Sequence, residues 1–343
     1  MQETKATELY AGADLHGNNV FLSVCDRDGG NVFRKRVKAN IAAVNAALDP
    51  FWDRIEVLGV ESTFNWYWFI DGLQDQDRNV KLGNPAKMEQ YKGTKITNDL
   101  SDADWLAEQL RLGIFPECYV YPKETRPVRD ALRRRQLFVR RRTQVLLSFG
   151  SLLERYGLPA PSAAKMEKWT VADIQATGLD SWVQLQLETL LDEMRASDRQ
   201  AKKIEKQVLA FAKPTEQYRR IVSLPGIGMA LGMLIALESG DFKRFPSAGD
   251  YASYCRAVKS ERTSNEKKKG SNNSKNGNKY LAWAFIEAAT YAARFNPRIQ
   301  SWYEKKKRKS GVPKAKKALA CKLAKAVWHV MNGKEFDETL MFG

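Results

Sequence analysis

Leu9-Tyr10-Ala11-Gly12-Ala13-Asp14 is an apolar run that closes on an acid, and Ile55-Glu56-Val57-Leu58-Gly59-Val60-Glu61 closes the same way. A charge at the end of an apolar strand is unexpected unless it is paired or binds a metal ion, because desolvating a lone carboxylate is costly. Asp99 and Asp102 lie three residues apart at the start of a helical pattern, a spacing that places both on one helix face. Asp104 competes with Asp102 for that role, but on a regular helix it points away from Asp99, and a solvated first-turn acid is its simpler reading. The chain around these acids is strongly basic, with 56 Lys and Arg against 40 Asp and Glu and a net charge of +16 over 343 residues. Clustered acids in a basic chain suggest divalent cations held against a phosphate backbone.

Outward from the two acid-tipped runs, turn residues mark off a meander. His16-Gly17-Asn18-Asn19 separates the first strand from Val20–Cys25, and Asp26-Arg27-Asp28-Gly29-Gly30 precedes Val32–Val37, which alternates like an edge strand. The patterning then predicts a helix over 41–52, the strand ending at Glu61, a helix over 64–73, a short strand over 80–82, a helix over 102–112 and a last strand over 118–121. Three antiparallel strands followed by helix–strand–helix–strand is the order of the α/β RNase H-like (RuvC-like) fold. In that fold the first strand is central and the fourth lies beside it, so acids from both strands and a later helix meet at one sheet edge and can bracket two Mg2+ ions.

Residues 127–156 and 187–211 carry apolar positions at helical spacing and predict two long helices, an antiparallel hairpin or a coiled-coil contact between subunits. The first holds Arg133-Arg134-Arg135 and Arg140-Arg141-Arg142, six arginines in ten residues, too many for a dry seam. Arg133, Arg134, Arg140 and Arg141 are therefore candidate nucleic-acid contacts. Leu224-Pro225-Gly226-Ile227-Gly228 before an apolar helix has the form of a helix–hairpin–helix turn. A polar, basic loop over 256–279 follows, in which Lys267, Lys268, Lys269 and Lys275 are further candidates for phosphate contact and Ser260, Ser264, Ser271 and Ser274 are indistinguishable by spacing. The organisation expected is 1–125 metal-binding domain, 126–213 helical hairpin and 214–343 mainly α domain.

The charge points to a polyanion partner. No apolar run reaches the roughly 18 residues of a spanning helix, and the first residues lack a signal-peptide layout, so the expected location is cytoplasmic, with nucleic acid favoured over a membrane face. Four scattered cysteines and two histidines, His16 and His329, give zinc or Ser-His-Asp chemistry little to work with; His16, two residues past Asp14, could touch a site, and a surface role suits it equally.

These residues together resemble the insertion-sequence transposases that join an N-terminal RuvC-like DEDD domain to a C-terminal serine-containing transposase domain, the group of the Piv-type DNA invertases and of bridge-RNA-guided recombinases. The likeness covers nearly the whole chain. Its motifs are Tyr10-Ala11-Gly12-Ala13-Asp14, Gly59-Val60-Glu61-Ser62-Thr63 and Asp99-Leu100-Ser101-Asp102-Ala103, then Leu224–Gly228, Phe245 with Tyr251-Ala252-Ser253-Tyr254, and Ser264 with Gly270 and Ser274-Lys275-Asn276-Gly277. The resemblance implies that Asp14, Glu61, Asp99 and Asp102 bind two Mg2+ ions and that Ser264 is the nucleophile that links covalently to DNA. It also implies a guide RNA and a homodimer or homotetramer. The chain departs from the family at Arg256-Ala257-Val258-Lys259, where Gly-Leu-x-Pro is usual, and at Ser264-Asn265, where Ser-Gly is usual. It also has Leu281-Ala282-Trp283 where an arginine is usual, and Ser260 stands as the second candidate nucleophile. A RuvC-like endonuclease using metal-activated water and a noncatalytic nucleic-acid-binding protein are the alternatives.

Overall fold

The computed structural model describes residues 8–88, 99–212, 215–258, 262–264, 267–270 and 276–343. Two compact units are present, one built on Met1–Lys123 and the other on Glu124–Asn272 with Gly277–Gly343.

The first unit runs β1 (Leu9–Leu15), β2 (Asn19–Asp26), β3 (Asn31–Lys38), α1 (Ile41–Leu48), β4 (Ile55–Glu61), α2 (Tyr67–Gln74), β5 (Val80–Gly83), α3 (Pro85–Met88) and α4 (Asp99–Arg111). Its five-stranded mixed sheet has the order β3-β2-β1-β4-β5, antiparallel from β3 to β1 and parallel from β1 to β5. Thus β1 is central, β4 lies beside it and β3 is an edge strand. The helix expected over 41–52 stops at Leu48, and Asp49–Phe51 forms a 3-10 turn, because Pro50 has no N–H to continue the helical ladder. Over 118–121 the expected strand does not form. Pro116 and Pro122 flank it, and the pairing there reduces to an isolated bridge between Gly83 and Glu117.

Alternation along the strands sorts the two faces of the sheet. Leu9, Ala11, Ala13 and Leu15 of β1 and Leu58 and Val60 of β4 join Val44 and Leu48 of α1 and Phe69, Ile70 and Leu73 of α2 in one core. The opposite face carries Gly12 and Gly59, which are register partners across β1 and β4. A Cβ on Gly12 would lie 2.0 Å from the Ala103 carbonyl oxygen and 2.7 Å from the Ala107 nitrogen, and one on Gly59 would lie 2.8 Å from Leu110 Cδ1 and from the Phe115 ring. Helix α4 therefore rests directly on a pair of glycines, an approach that any larger residue would block.

The second unit contains α5 (Arg126–Arg155), α6 (Ala163–Met166), α7 (Val171–Gln175), α8 (Ser181–Ala212), α9 (Glu216–Val222), α10 (Met229–Ser239), α11 (Ala248–Tyr254), β6 (Arg262–Ser264), β7 (Lys267–Gly270), α12 (Lys279–Phe295), α13 (Pro297–Ser310), α14 (Val312–Met331) and α15 (Glu338–Phe342). Helices α5 and α8 form an antiparallel hairpin, in which Arg135 pairs with Glu205 and Arg142 with Asp198 while Val145, Phe149 and Leu153 pack with Leu187, Leu191 and Met194. Leu132 and Val208, at the hairpin base, belong to the core of α9, α10, α12 and α14. Part of the stretch expected as a plain basic loop is an antiparallel ribbon, β6–β7. The lysine tract 305–309 is likewise helical, within α13.

Candidate functional site

Asp14 and Glu61 follow the register pair Ala13–Val60, so both close adjacent parallel strands on the face that bears Gly12 and Gly59. The direction of α4 brings its first turn to this same edge. Its last residue, Arg111, donates to the Arg27 carbonyl at 3.1 Å in the β2–β3 turn, at the far end of β1, while Ala103 covers Gly12. Asp99 and Asp102 occupy the turn before, and Asp102 is half-buried. The side chain of Asp99 lies outside the described residues. Three elements thus bring acids to one sheet edge. Among the described residues, no group of three or more His, Cys, Asp or Glu side chains could hold a metal ion.

Around Asp14 the polar contacts are specific. His16 Nε2 lies 3.0 Å from Asp14 Oδ2, with the donor set by the imidazole tautomer. The His16 carbonyl accepts from Asn65 Nδ2 at 2.8 Å, and Asn65 Oδ1 accepts from Thr63 Oγ1 at 2.8 Å. The segments that follow the two acids are therefore tied to each other. Asp104 is not the solvated acid its position suggests: it accepts from Ser23 Oγ at 2.6 Å and from Arg34 Nε and Nη2 at 2.8 and 2.7 Å. Ser23 and Arg34 are register partners on β2 and β3, so Asp104 pins α4 across the sheet and is spent on that.

Ser264 ends β6, in register with Lys267 of β7. Its side chain and those of Lys267, Lys268 and Lys269 lie outside the described residues, as do Ser260 and Lys275 altogether. Of the arginines on α5, Arg134, Arg140 and Arg141 are exposed. Arg133 is not directed at solvent: Nε and Nη2 donate to Glu238 at 2.5 and 2.8 Å. This ion pair to a buried partner on α10 sets Arg133 apart from the exposed Arg134, Arg140 and Arg141.

Residues 11–158 match a model of DEDD transposases of the IS110 type, and residues 218–304 match the model described as Transposase IS116/IS110/IS902 family. The chain carries both domains of the IS110/IS116 transposase family. Asp14, Glu61, Asp99 and Asp102 fall inside the first match, and Ser264 falls inside the second. Along most of their lengths the chain is similar to three further transposases. One, the transposase for insertion sequence element IS1111A of Coxiella burnetii, is 25% identical over 94% of this chain and 90% of its own. A probable family 20 transposase of Pseudomonas aeruginosa is 24% identical over 82% and 83%. The transposase for insertion sequence element IS1328 of Yersinia enterocolitica is 23% identical over 93% and 95%.

Three residues that shape this sheet edge stand out little in the sequence. Gly12 and Gly59 each stand two residues before an acid, and that repeated Gly-x-acid spacing is a signal that a helix lies close beneath. Asn65 left no comparable trace, since its partners are a backbone carbonyl and a threonine. Among the described residues no helix is long and apolar enough to cross a membrane.

Proposed function

We propose that the chain is a site-specific DNA recombinase of an insertion sequence, acting through an RNase H-like metal edge and a serine nucleophile. What supports the reading is that Asp14 and Glu61 follow the register pair Ala13–Val60 on adjacent parallel strands, and that Asp102 lies in the first turn of the helix that covers the same face. Carboxylate oxygens are the hard donors that Mg2+ takes, so Asp14, Glu61, Asp99 and Asp102 fit it chemically. Bound there, Mg2+ would supply Lewis-acid polarisation of the scissile phosphate and lower the pKa of the attacking hydroxyl.

In this reading the Ser264 oxygen forms a bond to phosphorus as the bond from phosphorus to the 3′-oxygen breaks. The serine gives up its proton to solvent, and the departing 3′-oxygen takes one up from solvent and leaves as a hydroxyl. Attack by a second 3′-hydroxyl on the serine phosphodiester reverses the step, so strands exchange with no external energy source. Exposed Arg134, Arg140 and Arg141, with Lys267, Lys268, Lys269 and Lys275, would hold the DNA backbone and an element-encoded guide RNA. The active form would be a homodimer or homotetramer in which the acids of one subunit serve the serine of another.

Mixing Asp14→Ala with Ser264→Ala chains on element-end DNA tests the shared site. Each variant alone should be inactive and the mixture should recover part of the activity; failure of every mixture overturns sharing. Mg2+-dependent cleavage that leaves only free ends in the wild type would instead indicate a metal-activated water, and absence of cleavage a binding protein.

A further inference from the structure

Glu238 is the one charged residue of the otherwise apolar helix α10 and is fully buried. An ion there is expensive to desolvate, and a well-packed apolar residue in place of a buried ion pair is often at least as stable, so bulk stability does not account for it. Its partners do. Arg133 of α5 grips it through two nitrogens and lies 4.5 Å over the Tyr280 ring. Burial opposes the Arg133 charge, but the Glu238 carboxylate outweighs that and holds the guanidinium pKa above its ordinary value. Asn278 Nδ2 donates to Glu238 Oε2 at 2.7 Å, while Asn278 Oδ1 caps α12 by accepting from the Tyr280 and Leu281 nitrogens at 2.8 and 3.1 Å.

Asn278 is also where the serine-bearing segment returns to the helices. Its nitrogen donates to the Tyr254 carbonyl at 2.6 Å. One residue earlier, the Gly277 carbonyl accepts from Arg256 Nε and Nη2 at 3.1 and 2.9 Å. Gly277 has φ 80°, and a Cβ there would lie 2.6 Å from the Tyr254 oxygen. Arg256 has φ 55°, a left-handed backbone held by a non-glycine residue where the chain departs from the scaffold. Departure and return are thus clasped together, and the clasp is fastened to Glu238.

We propose that Glu238, with Arg133 and Asn278, is a positioning device for the segment that carries Ser264, and that the Arg256–Gly277 clasp transmits it to both ends. This rests on the reading of a serine in that segment as the nucleophile. The ends of a segment reach its middle only if they are fixed, and a misplacement of about 1 Å costs about a hundredfold in rate.

The test uses the full chain with two variants. Glu238→Gln keeps the shape but removes the charge opposite Arg133. Arg256→Gly removes the guanidinium at a backbone conformation that suits glycine, so it remains informative should Glu238→Gln fail to fold. Amide hydrogen exchange over 278–281 and single-turnover cleavage of element-end DNA are measured, together with the DNA Kd. Both variants should exchange these amides at least about tenfold faster and cleave at least about tenfold more slowly, with Kd within about twofold of wild type. Arg256→Lys should restore most of both. Unchanged exchange, or faster exchange with wild-type cleavage, overturns the proposal. A wild-type chain that cuts nothing removes the functional reading and the positioning role with it, while the exchange arm still reports separately whether the clasp exists.

Discussion

Gly12→Ala adds one methyl group to the face of β1 on which α4 lies. That methyl would sit 2.0 Å from the Ala103 carbonyl oxygen and 2.7 Å from the Ala107 nitrogen, where ordinary contact begins near 3.4 Å. Both obstacles are helix backbone and cannot rotate aside, so α4 must retreat by about 1 Å at an overpacking cost of about 1–3 kcal/mol. The retreat is resisted along the helix, because Asp104 is fastened to Ser23 and Arg34 and Arg111 to the Arg27 carbonyl. Asp102 lies beside Ala103, so it moves with the displaced turn. A carboxylate displaced by about 1 Å should lose about a hundredfold in Mg2+-dependent strand cleavage. Urea unfolding and a cleavage time course on the same preparations measure both effects. Gly59→Ala should be milder, since its obstacles are the side-chain atoms Leu110 Cδ1 and Phe115, and Gly17→Ala, with nothing within 4 Å, should be neutral. Wild-type stability and cleavage in Gly12→Ala would refute the argument that this glycine sets the height of α4 over the acids.

Replacing exposed Arg134, Arg140 and Arg141 together with alanine should weaken DNA binding on all sequences and reduce the slope of log K against log salt by about 2 to 3, whereas Arg133→Ala should leave the slope unchanged and lower the unfolding midpoint instead. Burial, aided by the Glu108 charge, pushes the Cys25 thiol up to about 11, and burial also raises the Cys255 thiol above its ordinary value. Iodoacetamide at about pH 8 should therefore spare both in the native chain and label both after unfolding, as read by peptide mass spectrometry. Burial, and then Lys334 and Lys325, hold His329 below the ordinary histidine pKa. The unfolded chain then takes up the proton first as pH falls, so stability should decline from about pH 7 toward about pH 5, and His329→Gln should flatten that decline in urea midpoints.

The sheet was legible because turn residues bound its first strands, 32–37 alternates like an edge strand, and two apolar runs end on an acid. The strand expected over 118–121 failed because its alternation outweighed the flanking Pro116 and Pro122, which carry the stronger physical constraint. Helix α13 hid behind its lysines, although Asn296, which caps it by accepting from the Ile299 nitrogen, and Pro297 are a readable start signal. The ribbon β6–β7 could not be read from Lys267-Lys268-Lys269-Gly270, which has no strand propensity; its pairing with Arg262–Ser264 is a matter of register. Arg133 looks in sequence like its neighbours. Only folding brings it to Glu238, 105 residues away, and separates it from exposed Arg134. The two strand acids were visible because a charge disturbs an apolar run. Which serine belongs with them was not, since serines in a polar segment disturb nothing.

The most direct measurement is to quench the wild-type chain on element-end DNA in Mg2+, digest it, and locate the DNA-linked peptide by mass spectrometry. A phosphodiester on Ser264 is expected, absent without Mg2+ and absent in Asp14→Ala and Glu61→Ala. Cleaved strands with no linked peptide, or a link to a residue outside the segment between Arg256 and Gly277, would contradict it.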